Sequence, residues 1–200
     1  SSFLQRGYDQ IVHDIAISSI PVTICIDRAG IVGNDGETHQ GIFDLSFLSS
    51  TPNIVIMAPK NFEELEKMLE FAVNANKPVF IRYPRGGENY KFEKTEKINL
   101  GEAETIQEGT DLSIIAIGKM VGKAKQIADM LPDKKIEIIN TRFLKPLDEK
   151  TIIKSMEKTK HVITIEDNLL KGGLASAVLE TINKNKLENI KIKTYGYDDI

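Results

Sequence analysis

Short runs of consecutive apolar residues alternate along this chain with segments whose apolar residues recur at helical spacing. The runs at residues 22–26, 54–57 and 79–81 are rich in valine and isoleucine, as expected of strands covered on both faces. Between the last two, Asn61 and Glu64 have the spacing of a helix capping box. This β-α-β order predicts an α/β fold with a parallel sheet flanked by helices.

The predicted helices are amphipathic. Residues 3–17 carry apolar side chains at helical spacing, and so does the segment that begins at Asn61. We expect that second helix to bury a stripe formed by Phe62, Leu65, Met68, Leu69 and Ala72. Cys25 lies within the first apolar run and is predicted to be a buried structural thiol.

A charged segment without a core pattern, residues 88–98, is predicted to be a linker. A second α/β series follows it, with strands expected at 114–117, 136–139 and 162–165 and an edge strand at 190–193. Helices are expected at about 121–131 and 173–184. The chain is thus predicted to contain a first unit, residues 1–87, and a second unit, residues 99–200. Both ends are expected to be cut, since each unit lacks elements there.

Composition excludes several classes of protein. The net charge of -3 argues against a nucleic-acid-binding protein. No apolar stretch approaches the roughly 20 residues that cross a bilayer, and no signal segment precedes the first helix. The single cysteine suits a reducing compartment. We therefore expect a cytoplasmic protein without a membrane or nucleic-acid partner.

The loop at residues 27–41 is the strongest candidate for a functional site. It directly follows the first predicted strand, and ligands bind at the carboxyl ends of strands in open sheets. The loop contains four glycines together with Arg28, Asp35 and His39. These side chains can hold an anion and move protons. The alternative is a long connection whose polar residues only cap and hydrate it.

A second arginine-containing segment, residues 82–86, follows the third predicted strand. Arg85 is placed to reach an anion, whereas Arg82 is a candidate for a structural ion pair. Arg6, early in the first helix, is a third candidate anion ligand. A lone arginine is better explained by a surface salt bridge, but three at one rim favour an anion site. The sequence offers no metal site, because the loop lacks a magnesium-binding asparagine signature.

The order of several motifs carries a family resemblance. The chain contains FLQRGYDQ at 3–10, IDRAGIVG at 26–33, DGETHQGIFD at 35–44, RYPRG at 82–86 and RFLKPLD at 142–148. In these motifs it resembles the 1-deoxy-D-xylulose-5-phosphate synthases, a family of transketolase-type thiamine-diphosphate enzymes, over essentially its whole length. The resemblance implies the later part of a pyrimidine-binding domain followed by a transketolase C-terminal domain.

The resemblance also implies a reaction: pyruvate and glyceraldehyde 3-phosphate are condensed with loss of carbon dioxide. The family uses thiamine diphosphate with Mg²⁺ and forms homodimers. By matching position, Phe3 would stack on the cofactor's aminopyrimidine, and Arg28, Arg85 and Arg6 would hold the substrate phosphate. Asp35 and His39 would contact the reacting groups and assist proton transfer.

The family's cofactor-activating glutamate and its diphosphate and magnesium domain have no counterpart in this chain. We therefore expect the chain alone to be inactive and to bind no cofactor tightly. Alternatives are a transketolase, a 2-oxo-acid dehydrogenase E1 β subunit, or a noncatalytic binding module. The runs at residues 38–44 and 82–86 favour the synthase, and donor preference would separate the enzymes.

Overall fold

The computed structural model describes residues 1–93, 95 and 97–198, which form two sheets covered by helices. The strands are β1 Thr23–Ile26, β2 Val55–Met57, β3 Val79–Arg82, β4 Glu104–Gln107, β5 Leu112–Ala116, β6 Ile136–Asn140, β7 Phe143–Lys145, β8 His161–Leu169 and β9 Lys191–Tyr197. The α-helices are α1 Tyr8–Gln10, α2 Asp44–Ser49, α3 Phe62–Asn74, α4 Met120–Asp129, α5 Glu149–Thr159 and α6 Leu174–Lys184. The predicted first helix is a continuous helical segment in which a 3₁₀ turn, Leu4–Gly7, precedes α1 and a π-helical stretch, Ile11–Ala16, follows it.

The first sheet has the strand order β1-β3-β2-β7. As predicted, β1 and β2 pair in parallel with β3. The fourth strand, β7, pairs antiparallel with β2 although it belongs to the second unit in sequence. Its three residues gave no strand signal of their own. The second unit therefore completes the sheet of the first, and the sheet boundary does not coincide with the predicted linker.

The second sheet has the order β4-β6-β5-β8-β9. Its three predicted inner strands and its predicted edge strand are present, and β5, β6, β8 and β9 run parallel. The antiparallel edge strand β4 was not predicted. Helix α5 was also missed, although Asp148 caps it by accepting a hydrogen bond of 3.0 Å from the Thr151 N–H.

Two predictions of burial were wrong. Cys25 is exposed, because β1 lies at the edge of its sheet and only Ile26 of this strand is buried. Phe62 and Leu69 of α3 are also exposed. The predicted burial of Met68 and Ala72 is confirmed, but the helix also buries Glu64, because its inner face packs on a cluster of charges.

The charged cluster against that inner face is formed by Lys60, Glu64, Glu104 and Arg142. Lys60 Nζ lies 3.0 Å from Glu64 and 2.7 Å from Glu104, and Arg142 Nε lies 2.9 Å from Glu64. Burial raises the pKa of Glu104, but Lys60 and the other neighbours lower it more, so its net pKa is below the ordinary value. Two positive and two negative charges thus join the start of α3 in the first unit to β4 and to the residue before β7 in the second.

The predicted capping box is confirmed in one half. Asn61 Oδ1 accepts a hydrogen bond of 2.9 Å from the Glu64 N–H, which satisfies an unpaired donor at the start of α3. The Glu64 carboxylate, however, accepts from the Lys60 N–H at 2.7 Å. In a complete capping box the Glu64 carboxylate would accept from the Asn61 N–H. Here that carboxylate is part of the charged cluster and does not complete the box.

The predicted linker packs against the protein at its described residues, which leave out 94 and 96. Thr95 and Ile98 are buried, and Phe92 contacts the apolar core of the second unit. The Asn89 side chain donates a hydrogen bond of 2.8 Å to the Lys119 carbonyl. This segment therefore fixes the two units against each other.

Within the described residues, no helix combines the length and apolarity needed to cross a membrane.

We predict that Glu64→Gln lowers the free energy of unfolding by about 3 kcal/mol, since it leaves Lys60 and Arg142 buried with one counter-charge too few. Urea unfolding of the chain, followed by circular dichroism, would measure the loss. The matched control is Glu70→Gln on the same helix, where an exposed carboxylate pairs with Lys67, and we expect no measurable change. Equal stabilities for the two variants would contradict the prediction.

Candidate active site

The loops that follow β1 and β3 lie side by side at the carboxyl edge of the first sheet. The Ala29 N–H donates to the Tyr83 carbonyl and the Tyr83 N–H to the Ile26 carbonyl, each at 3.0 Å. These backbone bonds continue the pairing of the two strands into the loops. They bring Arg28 of the first loop close to Arg85 of the second.

The first loop is a folded hairpin. Gly30 and Gly41 form an antiparallel bridge in which each N–H donates to the other's carbonyl, at 2.7 and 2.9 Å. The Gln40 side chain accepts from the Val32 N–H at 2.8 Å and donates to the Val32 carbonyl at 3.1 Å. Residues 27–41, called the anion loop from here on, therefore hold their shape through internal hydrogen bonds.

Arg28, Asp35 and Arg85 form one charged group. Asp35 Oδ1 accepts from Arg28 Nη1 at 3.1 Å and from Arg85 Nη1 at 2.6 Å. The Asp35 side chain is only 3% exposed, whereas those of Arg28 and Arg85 are 48% and 50% exposed. A buried carboxylate thus holds two half-exposed guanidinium groups with a net charge of plus one, which is an arrangement suited to an anion.

Phe3, Arg6 and His39 form a second group. The Phe3 and His39 rings meet edge to face with centroids 5.0 Å apart, and the Arg6 guanidinium lies 4.9 Å from the Phe3 ring centroid. His39 Nδ1 is 2.8 Å from Thr38 Oγ1. The two residues predicted for proton transfer therefore have different surroundings: Asp35 contacts arginines, and His39 contacts an aromatic ring.

Arg82 is the buried ion-pair partner that the sequence suggested. Its guanidinium donates to Asp167 Oδ1 at 2.8 Å and to Asp44 Oδ2 at 3.3 Å. Burial lowers the pKa of Arg82, but the charges of Asp167 and Asp44 raise it more, so its net pKa lies above the ordinary value. Sequence reasoning missed both partners, although Asp44 lies within the motif at residues 35–44.

Glu166, next to Asp167, is a buried carboxyl beneath the first turn of α6. It accepts hydrogen bonds of 2.8 Å from the N–H groups of Leu174 and Ala175. Burial raises the pKa of Glu166 to about 7, although those two bonds oppose the shift. Glu166 therefore exchanges its proton near neutral pH.

The aromatic and charged groups at this edge suit an organic anion better than a metal ion. Among the residues that the structure describes, no group of three or more histidine, cysteine, aspartate or glutamate side chains could hold a metal. Phe3 is 50% exposed and offers ring surface to a planar ligand.

Comparison with known protein families defines the class of this chain. Residues 1–89 match the family model for the transketolase pyrimidine binding domain, and residues 101–197 match that for the transketolase C-terminal domain. The chain therefore belongs to the transketolase-type family of thiamine-diphosphate-dependent transferases.

The particular resemblance seen in the sequence is also confirmed. The chain is 51% identical to 1-deoxy-D-xylulose-5-phosphate synthase from Halothermothrix orenii and 49% identical to that from Natranaerobius thermophilus, in each case over 100% of the chain and 32% of the relative. It thus corresponds to the C-terminal portion of a 1-deoxy-D-xylulose-5-phosphate synthase and spans about a third of these relatives' length.

Solved structures show the same fold. One, described as "Split gene transketolase, inactive beta4 tetramer", has a TM-score of 0.90 and 28% identity, covering 100% of this chain and 64% of that one. The transketolase from Campylobacter jejuni has a TM-score of 0.75 and 21% identity, covering 100% of this chain and 30% of that one. The second likeness supports the fold alone.

We predict that Glu166 makes stability depend on pH. Its folded-state pKa of about 7 lies above the ordinary 4.5, so folding favours the protonated form. The stabilisation is full below pH 4.5 and is lost as pH rises towards 7. Relative to Glu166→Gln, the free energy of unfolding should fall by roughly 1 kcal/mol per pH unit across this range and then level off.

Urea unfolding of both proteins at intervals from pH 4.5 to 8 would measure this difference. The glutamine loses one of the two backbone hydrogen bonds, which shifts its curve by a constant and leaves the slope informative. Parallel curves for the two proteins would show that Glu166 does not titrate in this range.

Proposed function

We propose that this chain is the acceptor-binding part of an enzyme that condenses pyruvate with glyceraldehyde 3-phosphate, releasing carbon dioxide and forming 1-deoxy-D-xylulose 5-phosphate. The observation that carries the proposal is the pairing of Arg28 and Arg85 across Asp35 at the carboxyl edge of the first sheet. The identity of about half to known synthases supports it. The activity is assigned to the full-length protein, since the chain spans 32% of those relatives.

The two half-exposed guanidinium groups suit the substrate's phosphate. A phosphate near neutral pH carries up to two negative charges, and arginine binds it through parallel N–H donors. Each arginine gives one Nη1 donor to Asp35, which fixes the spacing of the pair and leaves other N–H groups to a ligand. Arg6 is proposed to add a third positive charge at the same rim.

Phe3 and His39 are proposed to face the cofactor and the reacting carbons. When bound, thiamine diphosphate supplies the electron sink for decarboxylation of pyruvate. The half-exposed ring of Phe3 fits stacking on the aminopyrimidine. Because His39 Nδ1 is held by Thr38, His39 Nε2 is the atom proposed to exchange a proton with the ligand.

Asp35 is proposed to contact the substrate through its second carboxylate oxygen. Within the described residues, Asp35 Oδ2 is buried and has no hydrogen-bond partner. A ligand hydroxyl that donates to this oxygen would remove the cost of an unsatisfied buried acceptor. Asp35 would thereby link the phosphate-binding arginines to the reacting end of the substrate.

The parts of the active site that this chain does not supply are proposed to lie in the rest of the full-length protein. The described residues form no cluster that could hold Mg²⁺, so the chain does not fit the metal by itself. We propose that residues 1–87 and 99–200 act as the pyrimidine-binding and C-terminal domains, with 88–98 between them. The full-length enzyme is proposed to be a cytoplasmic homodimer.

The proposed function is tested by following carbon dioxide release from pyruvate in the full-length enzyme, with thiamine diphosphate and Mg²⁺ added. We expect glyceraldehyde 3-phosphate to stimulate release strongly. Arg85→Ala should raise the KM for glyceraldehyde 3-phosphate by about tenfold or more, since a charged hydrogen bond contributes roughly 1.5–3 kcal/mol. Lys67→Ala, a cation on α3 that pairs with Glu70, is the control and should change nothing. Consumption of ketose phosphates instead of pyruvate would identify a transketolase and overturn the proposal.

The 200-residue chain alone should release no carbon dioxide from pyruvate, with or without the cofactor. The described residues contain no metal cluster, and the similar split-gene transketolase is described as an inactive beta4 tetramer. The same assay on the purified chain checks this expectation. Product formation by the chain would refute it.

A further inference from the structure

We propose that the second unit sets the geometry of the anion loop, and that Arg82, Asp167 and Lys119 are positioning residues for phosphate binding. This inference deepens the proposed function and rests on it for the identity of the ligand. It is carried by contacts that reach the anion loop from β3, β8 and Lys119, and the loop's own sequence gives no sign of them.

The Arg82 guanidinium connects the end of the anion loop to β8. Its Nη2 donates to the carbonyl oxygens of Gly41 and Asp167 at 2.8 and 2.9 Å, while Nη1 donates to Asp167 Oδ1 at 2.8 Å. Gly41 is the residue that forms the bridge with Gly30. Since Arg82 is buried, its planar group holds this bridge at a fixed distance from Asp167.

Asp167 also supports the opposite strand of the hairpin. A Cβ atom at Gly30 would collide with the Asp167 carboxylate, so the loop backbone lies directly on that side chain. Gly30 adopts a φ of +79°, which glycine reaches without strain. Lys119 Nζ lies 3.0 Å from Asp167 Oδ2 and holds the carboxylate in place. Gly30 therefore packs against Asp167 itself, and Gly41 is bound by Arg82, which pairs with Asp167.

Two further contacts join the loop region to the second unit. The Leu169 N–H donates to the Ile42 carbonyl at 2.9 Å, and Asn168 Oδ1 accepts from the Leu45 N–H at 3.1 Å. The hairpin is thus held near its base on both strands. Asp35 lies on the part of the loop between these attachments, and Arg28 lies two residues before the first of them.

The charges of the residues around Arg82 allow positioning of the anion loop to be distinguished from electrostatic attraction of the phosphate. Arg82 and Lys119 balance Asp44 and Asp167, so the cluster adds no net charge to the phosphate site. Replacing Asp167 by asparagine adds one positive charge nearby. Electrostatic attraction alone would then tighten phosphate binding, whereas loss of positioning would weaken it. The two roles predict opposite signs.

Hydrogen exchange of the 200-residue chain tests the structural half of the inference without a substrate. In Asp167→Asn and Lys119→Met, we expect the amides of Gly30 and Gly41 to exchange about tenfold faster than in the unsubstituted chain. The matched control is Glu104→Gln, which weakens the other charged cluster between the units and should leave these two amides unchanged after correction for global stability. Unchanged exchange in Lys119→Met, which removes one partly exposed ammonium group, would overturn the inference even if Asp167→Asn fails to fold.

Steady-state kinetics of the full-length enzyme tests the functional half. We expect Asp167→Asn to raise the KM for glyceraldehyde 3-phosphate about fivefold or more and to leave the KM for pyruvate unchanged. An unchanged or lower KM for glyceraldehyde 3-phosphate would overturn the positioning role. If the unsubstituted enzyme does not use glyceraldehyde 3-phosphate, the proposed function fails, while the exchange experiment still decides whether the second unit holds the loop.

Discussion

The guanidinium of Arg82 is buried where the two units meet, and a buried charge is tolerated only when it is paired and hydrogen-bonded. Asp44 supplies one partner from the first unit and Asp167 another from the second. The same group binds the Gly41 carbonyl and so reaches the anion loop. Packing of the units and the shape of the candidate site thus depend on one set of contacts, because neither aspartate alone satisfies the buried cation.

The two units are also joined by a second cluster with no net charge, which lies outside the candidate site. It is formed by Lys60, Glu64, Glu104 and Arg142. Together with β7, which completes the first sheet, it makes the two units one structure. Buried charges of this kind gain little stability over apolar packing, but the loss of one partner is costly. We infer that both clusters fix the relative position of the two units, and that this position in turn fixes the conformation of the anion loop.

The predictions that held were those decided by local pattern. The parallel strands of both sheets and the Asn61 cap of α3 were both predicted from neighbouring residues. The errors came where distant residues decide burial. Cys25 is exposed because β1 lies at an edge, and Phe62 is exposed because α3 turns Glu64 inward. The roles of Asp35, His39 and the arginines stay predictions, now with defined neighbours.

By itself, the sequence determined the α/β class, the family and the candidate residues, because hydrophobic periodicity and ordered motifs are local properties of a chain. Only the tertiary structure decided that Asp35 holds Arg28 and Arg85 together, that Arg82 pairs with Asp167, and that β7 joins the first sheet. Each of these contacts joins residues far apart in sequence. Their geometry arises when the two units pack, since burial then requires each charge and each backbone group to find a partner.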